Sequence, residues 1–149
     1  MKPRPTEVAL IVILVFALSF VFNFVWEALH SVYLFEDHDF SSERYVMMVI
    51  SASARDGLII LAMYFGVSAA SRKFLWVSRR EMKWVLSFVL LGLIVAAVLE
   101  YRAVYLKGIW AYNFHMPTLL GIGVSPLVQI SITGILAIGI TGRLLCREE

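Results

Sequence analysis

The sequence predicts an all-α, polytopic membrane protein: a bundle of four transmembrane helices with both termini on the cytoplasmic side. Three observations predict it. The 149 residues are 60% hydrophobic with a mean hydropathy of +0.82, too apolar for a water-soluble domain of this length. The apolar residues fall into four runs, each long enough for the ~20 helical residues that cross a hydrocarbon core of ~30 Å. The basic residues collect at one end of those runs. No repeat, linker or low-complexity tract interrupts the chain, so residues 1–149 are expected to form a single domain.

The first run extends from Val8 to about Leu34. No small-x-small cleavage site closes it, so it reads as a retained helix and not as a signal peptide. The second extends from Tyr45 to about Ala70, the third from Trp84 to about Leu106, and the fourth from Thr118 to about Leu145. The connector SRKFLWVSRREMK carries Arg72, Lys73, Arg79, Arg80 and Lys83, while the N-terminus holds Lys2 and Arg4 and the C-terminus Arg143 and Arg147. The positive-inside rule places all nine at the cytoplasmic face of the cell membrane. The first connector is mainly acidic and the third is aromatic with one lysine, as external segments are. Trp76 and Trp84 on the inner side, with Trp26 and Trp110 on the outer, are expected in the interfacial aromatic belts. The lone Cys146 excludes a disulfide framework and a cysteine metal box. Nucleic-acid binding has no support, because the basic residues serve as a topology signal and a contact for anionic lipid.

Polar residues inside the runs coincide in depth. At ~1.5 Å of rise per residue, Asn23, Asp56, Glu100 and Gln129 each lie roughly 21 to 24 Å from the cytoplasmic end of their own helix. Glu27 and His30 stand a turn or two above Asn23. The spacing of Asn23, Glu27 and His30 puts them on one helical face, as it does Gly121, Ser125 and Gln129, and likewise Ser53, Asp56, Ile60 and Tyr64. Arg55, on the neighbouring face, is expected to pair with one of the acids. Pro126 is expected to kink or open the fourth helix beside Gln129. Such residues can be hydrogen-bonding glue between helices. Three carboxylates in only four helices nevertheless point to a functional site, since ionisable groups at that depth are costly.

Three kinds of chemistry fit this set. Glu27 and His30 have the Glu-x-x-His spacing of di-iron bundles, and with Asp56 and Glu100 they are the ligands a metal would have. Only one such motif is present, however, and His38 and His115 lie in connectors. Acid/base work is the second: Glu27, Glu100 and Asp56 as proton donors and acceptors, with Asn23, Trp26, His30, Arg55, Trp110, Tyr112 and Gln129 holding an apolar molecule. Trp26, Tyr101, Trp110 and Tyr112 would line the pocket and steady a developing cation. The third is purely structural. The external stretch from Leu106 to Gln129, punctuated by Gly108, Pro117, Gly121 and Gly123, reads as a lid over Glu27 and His30.

The segments NFVWE at 23–27, GIWAY at 108–112 and MPTLLGIGVSPLVQ at 116–129, with Asp56 and Glu100 between them, resemble a family of small four-helix membrane proteins of prokaryotes. That resemblance implies a compact bundle and supplies no activity. The family pattern often has Gln where this chain has His30. More loosely, the chain resembles membrane carotenoid cyclases and hydratases and the emopamil-binding type of sterol isomerase. The cyclases' paired glutamates after the proline are absent, Thr118 and Leu119 standing there instead.

The function expected is therefore binding of a lipidic or isoprenoid molecule in the outer half of the bilayer, with acid/base chemistry on it: isomerisation, hydration or cyclisation. The rivals are a proton- or ion-coupled transport element working as a homo-oligomer, and a structural or assembly subunit of a larger membrane complex.

Overall fold

The computed structural model describes residues 4–36, 41–74, 76 and 81–145. Lys2, His38, Arg79, Arg80, Cys146 and Arg147 lie outside the described residues. The chain forms four long helices, α1 (Pro5–Tyr33), α2 (Ser42–Ser71), α3 (Met82–Tyr101) and α4 (Val124–Leu145). A π-helical turn, Arg102–Leu106, continues α3, and two short strands, β1 (Thr118–Leu119) and β2 (Ile122–Gly123), precede α4. All four helices, α3 counted through Leu106, are long and apolar enough to cross a membrane. This is a multi-pass helical membrane protein.

Local sequence explains where the helices begin and end. Pro5 occupies the first turn of α1, where its missing amide hydrogen is no loss, and Glu7 accepts from the Arg4 amide at 2.9 Å and its Nε at 2.8 Å. Ser41 caps α2 by accepting from the Arg44 amide. Arg72 ends α2 in the left-handed conformation, at φ 54°. Hydroxyls inside the helices bond back to carbonyls four residues earlier, as Ser53 does to Val49, Ser68 to Tyr64 and Thr141 to Ala137. Such back-bonding satisfies them where no water is at hand.

Helix α1 packs against α2 and α4, and α3 packs mainly against α4 and less extensively against α2. Helices α2 and α4 touch across the centre of the bundle. Glycines set the close approaches: Gly57 lies against the Phe16 ring, Gly92 against Ser131, and Gly134 against the Phe88 ring. A Cβ on Gly134 would stand 2.7 Å from Phe88 Cζ and 2.8 Å from Cε1. Phe88 is fully buried and has no room to retreat. Gly134→Val is accordingly expected to destabilise the bundle by about 1–3 kcal/mol, the range for overpacking a filled core, measurable as a lower unfolding midpoint in mixed detergent micelles. An unchanged midpoint would mean that α3 and α4 do not meet here.

The structure corrects four sequence expectations at this level. Trp76 does not stand in an interfacial belt; it is fully buried, packed between Tyr64 and Phe88 at ring separations of 6.1 and 5.9 Å. Tyr64 Oη also donates to the Phe74 carbonyl, two residues before it. Trp84 does stay at this end, donating from Nε1 to Glu81. The Lys73 ammonium, hydrogen-bonded to the same carboxylate, holds Glu81 below the usual carboxylate range.

The fourth helix begins at Val124 and not at Thr118. Residues 118–123 instead make a tight antiparallel hairpin whose two turn residues, Leu120 and Gly121, have φ of 52° and 82°, the backbone a two-residue hairpin turn requires. Gly121 therefore shares no helical face with Ser125 and Gln129. For the same reason Pro126 falls in the first turn of α4 and breaks no interior hydrogen bond, so it neither kinks nor opens the helix.

Candidate intramembrane polar site

Gln129 organises the centre. Its Nε2 donates to Asn23 Oδ1 at 3.0 Å, Glu27 Oε1 at 2.8 Å and Asp56 Oδ2 at 3.1 Å. One nitrogen thereby ties α1, α2 and α4 together at a single level. An amide nitrogen carries two hydrogens, so with three short contacts one hydrogen is shared between two acceptors. Asn23 is completed by Thr133, whose hydroxyl donates to Oδ1 at 3.2 Å, and by its own Nδ2, which donates to the Ser19 carbonyl at 2.8 Å. Asn23 and Gln129 are buried, and Glu27 and Asp56 partly so.

One turn higher, His30 Nε2 lies 3.1 Å from Glu27 Oε2 and Nδ1 lies 3.2 Å from Ser125 Oγ. Trp26 Nε1 donates to the same Ser125 Oγ at 3.1 Å. The i, i+4, i+7 phase of Asn23, Glu27 and His30 thus presents all three to α4. Ser125 is there because the hairpin delivers the first turn of α4 to this height.

Glu100 belongs to a second cluster. It is buried at the end of α3, where Tyr112 Oη donates to Oε2 at 2.6 Å and Trp110 Nε1 at 3.4 Å. Burial, then the hydrogen bond to Glu100, pushes the Tyr112 phenol well above its ordinary value, so it stays a donor at physiological pH. Glu100 lies within electrostatic reach of Glu27, His30 and Asp56 but shares no hydrogen bond with them.

The aromatic residues of the segment between α3 and α4 thus converge on Glu100 and not, as expected, on Glu27 and His30. Phe35 intervenes: its ring meets His30 edge-on at 5.0 Å and packs against Trp110 and Tyr112. Asn113 fastens the segment to the end of α1, its Nδ2 donating to the carbonyls of Tyr33 at 2.9 Å and Phe35 at 3.1 Å. The Glu36 amide completes the join by donating to Ala111 O.

Two further expectations fail. Arg55 is exposed and makes no ion pair within 4 Å among the described residues; its Nε donates to the Ser51 carbonyl at 3.3 Å. Its side chain runs back along α2, and its charge reaches Glu27 and Asp56 only through space. Tyr101 is half exposed on the outside of α3 and stacks on Tyr105, away from the polar groups. The Glu-x-x-His spacing places Glu27 and His30 in mutual hydrogen bonding. Among the described residues, no three His, Cys, Asp or Glu side chains converge as metal ligands.

An open groove of about 450 Å³ runs along α1 and α4 beside the network. Phe22, Val25, Leu29, Ile132 and Leu136 give it apolar walls, and Trp26, His30, Ser125 and Thr133 are its polar edge. The carboxylates of Glu27, Asp56 and Glu100 do not line it. Sequence reasoning missed Thr133, Phe35 and Asn113 altogether and placed Ser125 on the face of Gln129 without naming it among the site residues. The one available signal was Ser125 itself, a hydroxyl immediately before Pro126, where a helix start was legible. No family model, no curated protein and no solved structure matches the chain.

Proposed function

We propose that the protein binds a lipidic molecule, isoprenoids included, in the groove between α1 and α4 and moves protons to and from it through His30 and Glu27. The observation that carries this reading is the position of His30. Its ring lines an apolar groove on one side and contacts a mostly buried carboxylate on the other. Imidazole backed by carboxylate is a common acid/base pair. Gln129 and Asp56 then hold Glu27 in place, and Glu100, under Tyr112 and Trp110, is a reserve acid beneath a lid formed by residues 107–123. The external side, the cytoplasmic termini and the cell membrane as location belong to this proposal and rest on the distribution of basic residues.

Isomerisation, hydration and cyclisation of an alkene all add a proton to carbon, and in heavy water they leave deuterium there. Vesicles carrying the protein, supplied with a polyprenyl lipid extract in heavy water, are expected to yield one lipid species gaining carbon-bound deuterium. No gain above protein-free vesicles would remove the acid/base assignment for this class. A structural subunit is the second reading, favoured by how fully the network is satisfied: among the described residues only Ser19 Oγ and Trp76 Nε1 are buried without a partner.

A further inference from the structure

With Glu27 ionised and His30 neutral, the hydrogen bonds around Ser125 run in one direction. An indole nitrogen can only donate, so Trp26 Nε1–H points at Ser125 Oγ and occupies an oxygen lone pair. The Ser125 hydroxyl hydrogen is then free to point at His30 Nδ1, 3.2 Å away. The carboxylate can only accept, so the neutral ring carries its hydrogen on Nε2, where Glu27 Oε2 receives it at 3.1 Å, and Nδ1 accepts from the hydroxyl. Hydroxyl, imidazole and carboxylate thereby stand in series, from α4 to α1. This is the arrangement that activates a serine as a nucleophile: the base takes the hydroxyl proton, and the acid fixes the tautomer and stabilises the imidazolium. The two ring nitrogens have exchanged their usual roles, which the geometry permits because His30 and Glu27 are three residues apart on one helix.

The surroundings favour such chemistry. Ser125 and His30 both line the apolar groove, so a carbonyl carried on a lipid chain could approach Oγ from the lipid side. Ser125 lies in the first turn of α4, where backbone amides point outward without helical carbonyl partners. Of its neighbours there, the Val124 amide is taken by Pro117 O at 2.8 Å and Pro126 has none, which leaves the Ser125 amide as the donor nearest a developing oxyanion.

We infer that Ser125, activated by His30 and oriented by Glu27, is the nucleophile of an acyl-transfer site for an ester-linked lipid. Ser125 Oγ attacks the ester carbonyl carbon while its proton passes to His30 Nδ1. The carbonyl–alkoxy bond then breaks, and the leaving alcohol takes the proton from His30. The acyl group remains on Ser125 until water, deprotonated by the same nitrogen, releases it as a carboxylic acid and restores the hydroxyl. His30 and Ser125 are catalytic residues in this scheme, and Glu27 is a positioning residue. The inference rests on the groove being a lipid site, as proposed above.

The test uses the full-length protein in nanodiscs and a long-chain alkyl fluorophosphonate, which is attacked by activated serines. Mass spectrometry is expected to find one phosphonyl adduct, on Ser125, blocked by prior incubation with a long-chain ester. Ser125→Ala should abolish it and Ser87→Ala should leave it unchanged. His30→Ala should slow labelling by ~10²-fold or more, the usual contribution of a positioned base, and added imidazole should restore part of the rate, which a merely structural histidine would not allow. Glu27→Gln should also slow it, with Glu27→Asp recovering part of the loss. A wild-type protein that stays unlabelled while a soluble serine esterase in the same sample reacts, or an adduct on another residue, would overturn the inference. Lipids bound to the unlabelled sample decide the rest: one lipid class enriched leaves the groove standing as a lipid site without a nucleophile, and none enriched removes both.

Discussion

Gln129→Leu is expected to cost roughly 2–5 kcal/mol of bundle stability, the sum of three intramembrane hydrogen bonds at ~0.6–1.7 kcal/mol each. The loss concentrates at this residue because one amide nitrogen serves Asn23, Glu27 and Asp56 together. Removing it leaves Glu27 on α1 and Asp56 on α2 with no shared donor. Reversible unfolding in mixed micelles would measure it. A destabilisation below about 0.5 kcal/mol, less than one such bond, would show that Gln129 is not the hub. Gln129→Glu separates shape from donor capacity: it keeps the volume and places a third acid among the other two, so it should destabilise unless it takes up a proton.

Glu27→Gln is expected to act in the opposite sense, sparing the fold and abolishing the chemistry. The amide oxygen can still accept from Gln129, and the NH2 can donate to His30 Nε2 once the ring hydrogen moves to Nδ1, so stability should stay within ~2 kcal/mol of the parent. It cannot carry charge, and it cannot stabilise an imidazolium at His30. Proton transfer to the bound lipid, read as deuterium gained in heavy water, should fall by ~10²-fold or more. The same change at Glu100 distinguishes the two clusters. Glu100 shares no hydrogen bond with Glu27, so Glu100→Gln should lose less and the two losses should combine. Full activity in Glu27→Gln at normal expression would leave the carboxylate as glue.

Much of this was legible in the sequence because hydropathy and helical phase are one-dimensional. Depth counting placed Asn23, Asp56 and Gln129 at one level, and they meet at a single nitrogen. The spacing of Asn23, Glu27 and His30 placed them on one face, and that face meets α4. What sequence could not supply were effects of the turns. The six residues from Thr118 to Gly123 looked like helix by hydropathy, yet positive φ at Leu120 and Gly121 makes them a hairpin, and that shift moved Pro126 to a helix start and Ser125 to His30. Trp76 counted as an interfacial residue by its place in a connector, yet its ring packs between Tyr64 and Phe88. The π-helical turn after Tyr101 likewise has no periodic signature, although it carries the chain from Glu100 into the segment whose Trp110 and Tyr112 return to cover that acid.

The central claim is that the groove between α1 and α4 holds a lipid against His30, and the lipids that accompany the protein test it most directly. Protein extracted in a mild detergent would be stripped with solvent and its lipids compared by mass spectrometry with those of the whole membrane. Leu29→Trp, which fills the groove from the exposed side of α1, supplies the comparison. One lipid class strongly enriched on the parent protein and lost from Leu29→Trp is the predicted result. A lipid profile identical to the bulk membrane, unchanged by the substitution, would contradict the claim.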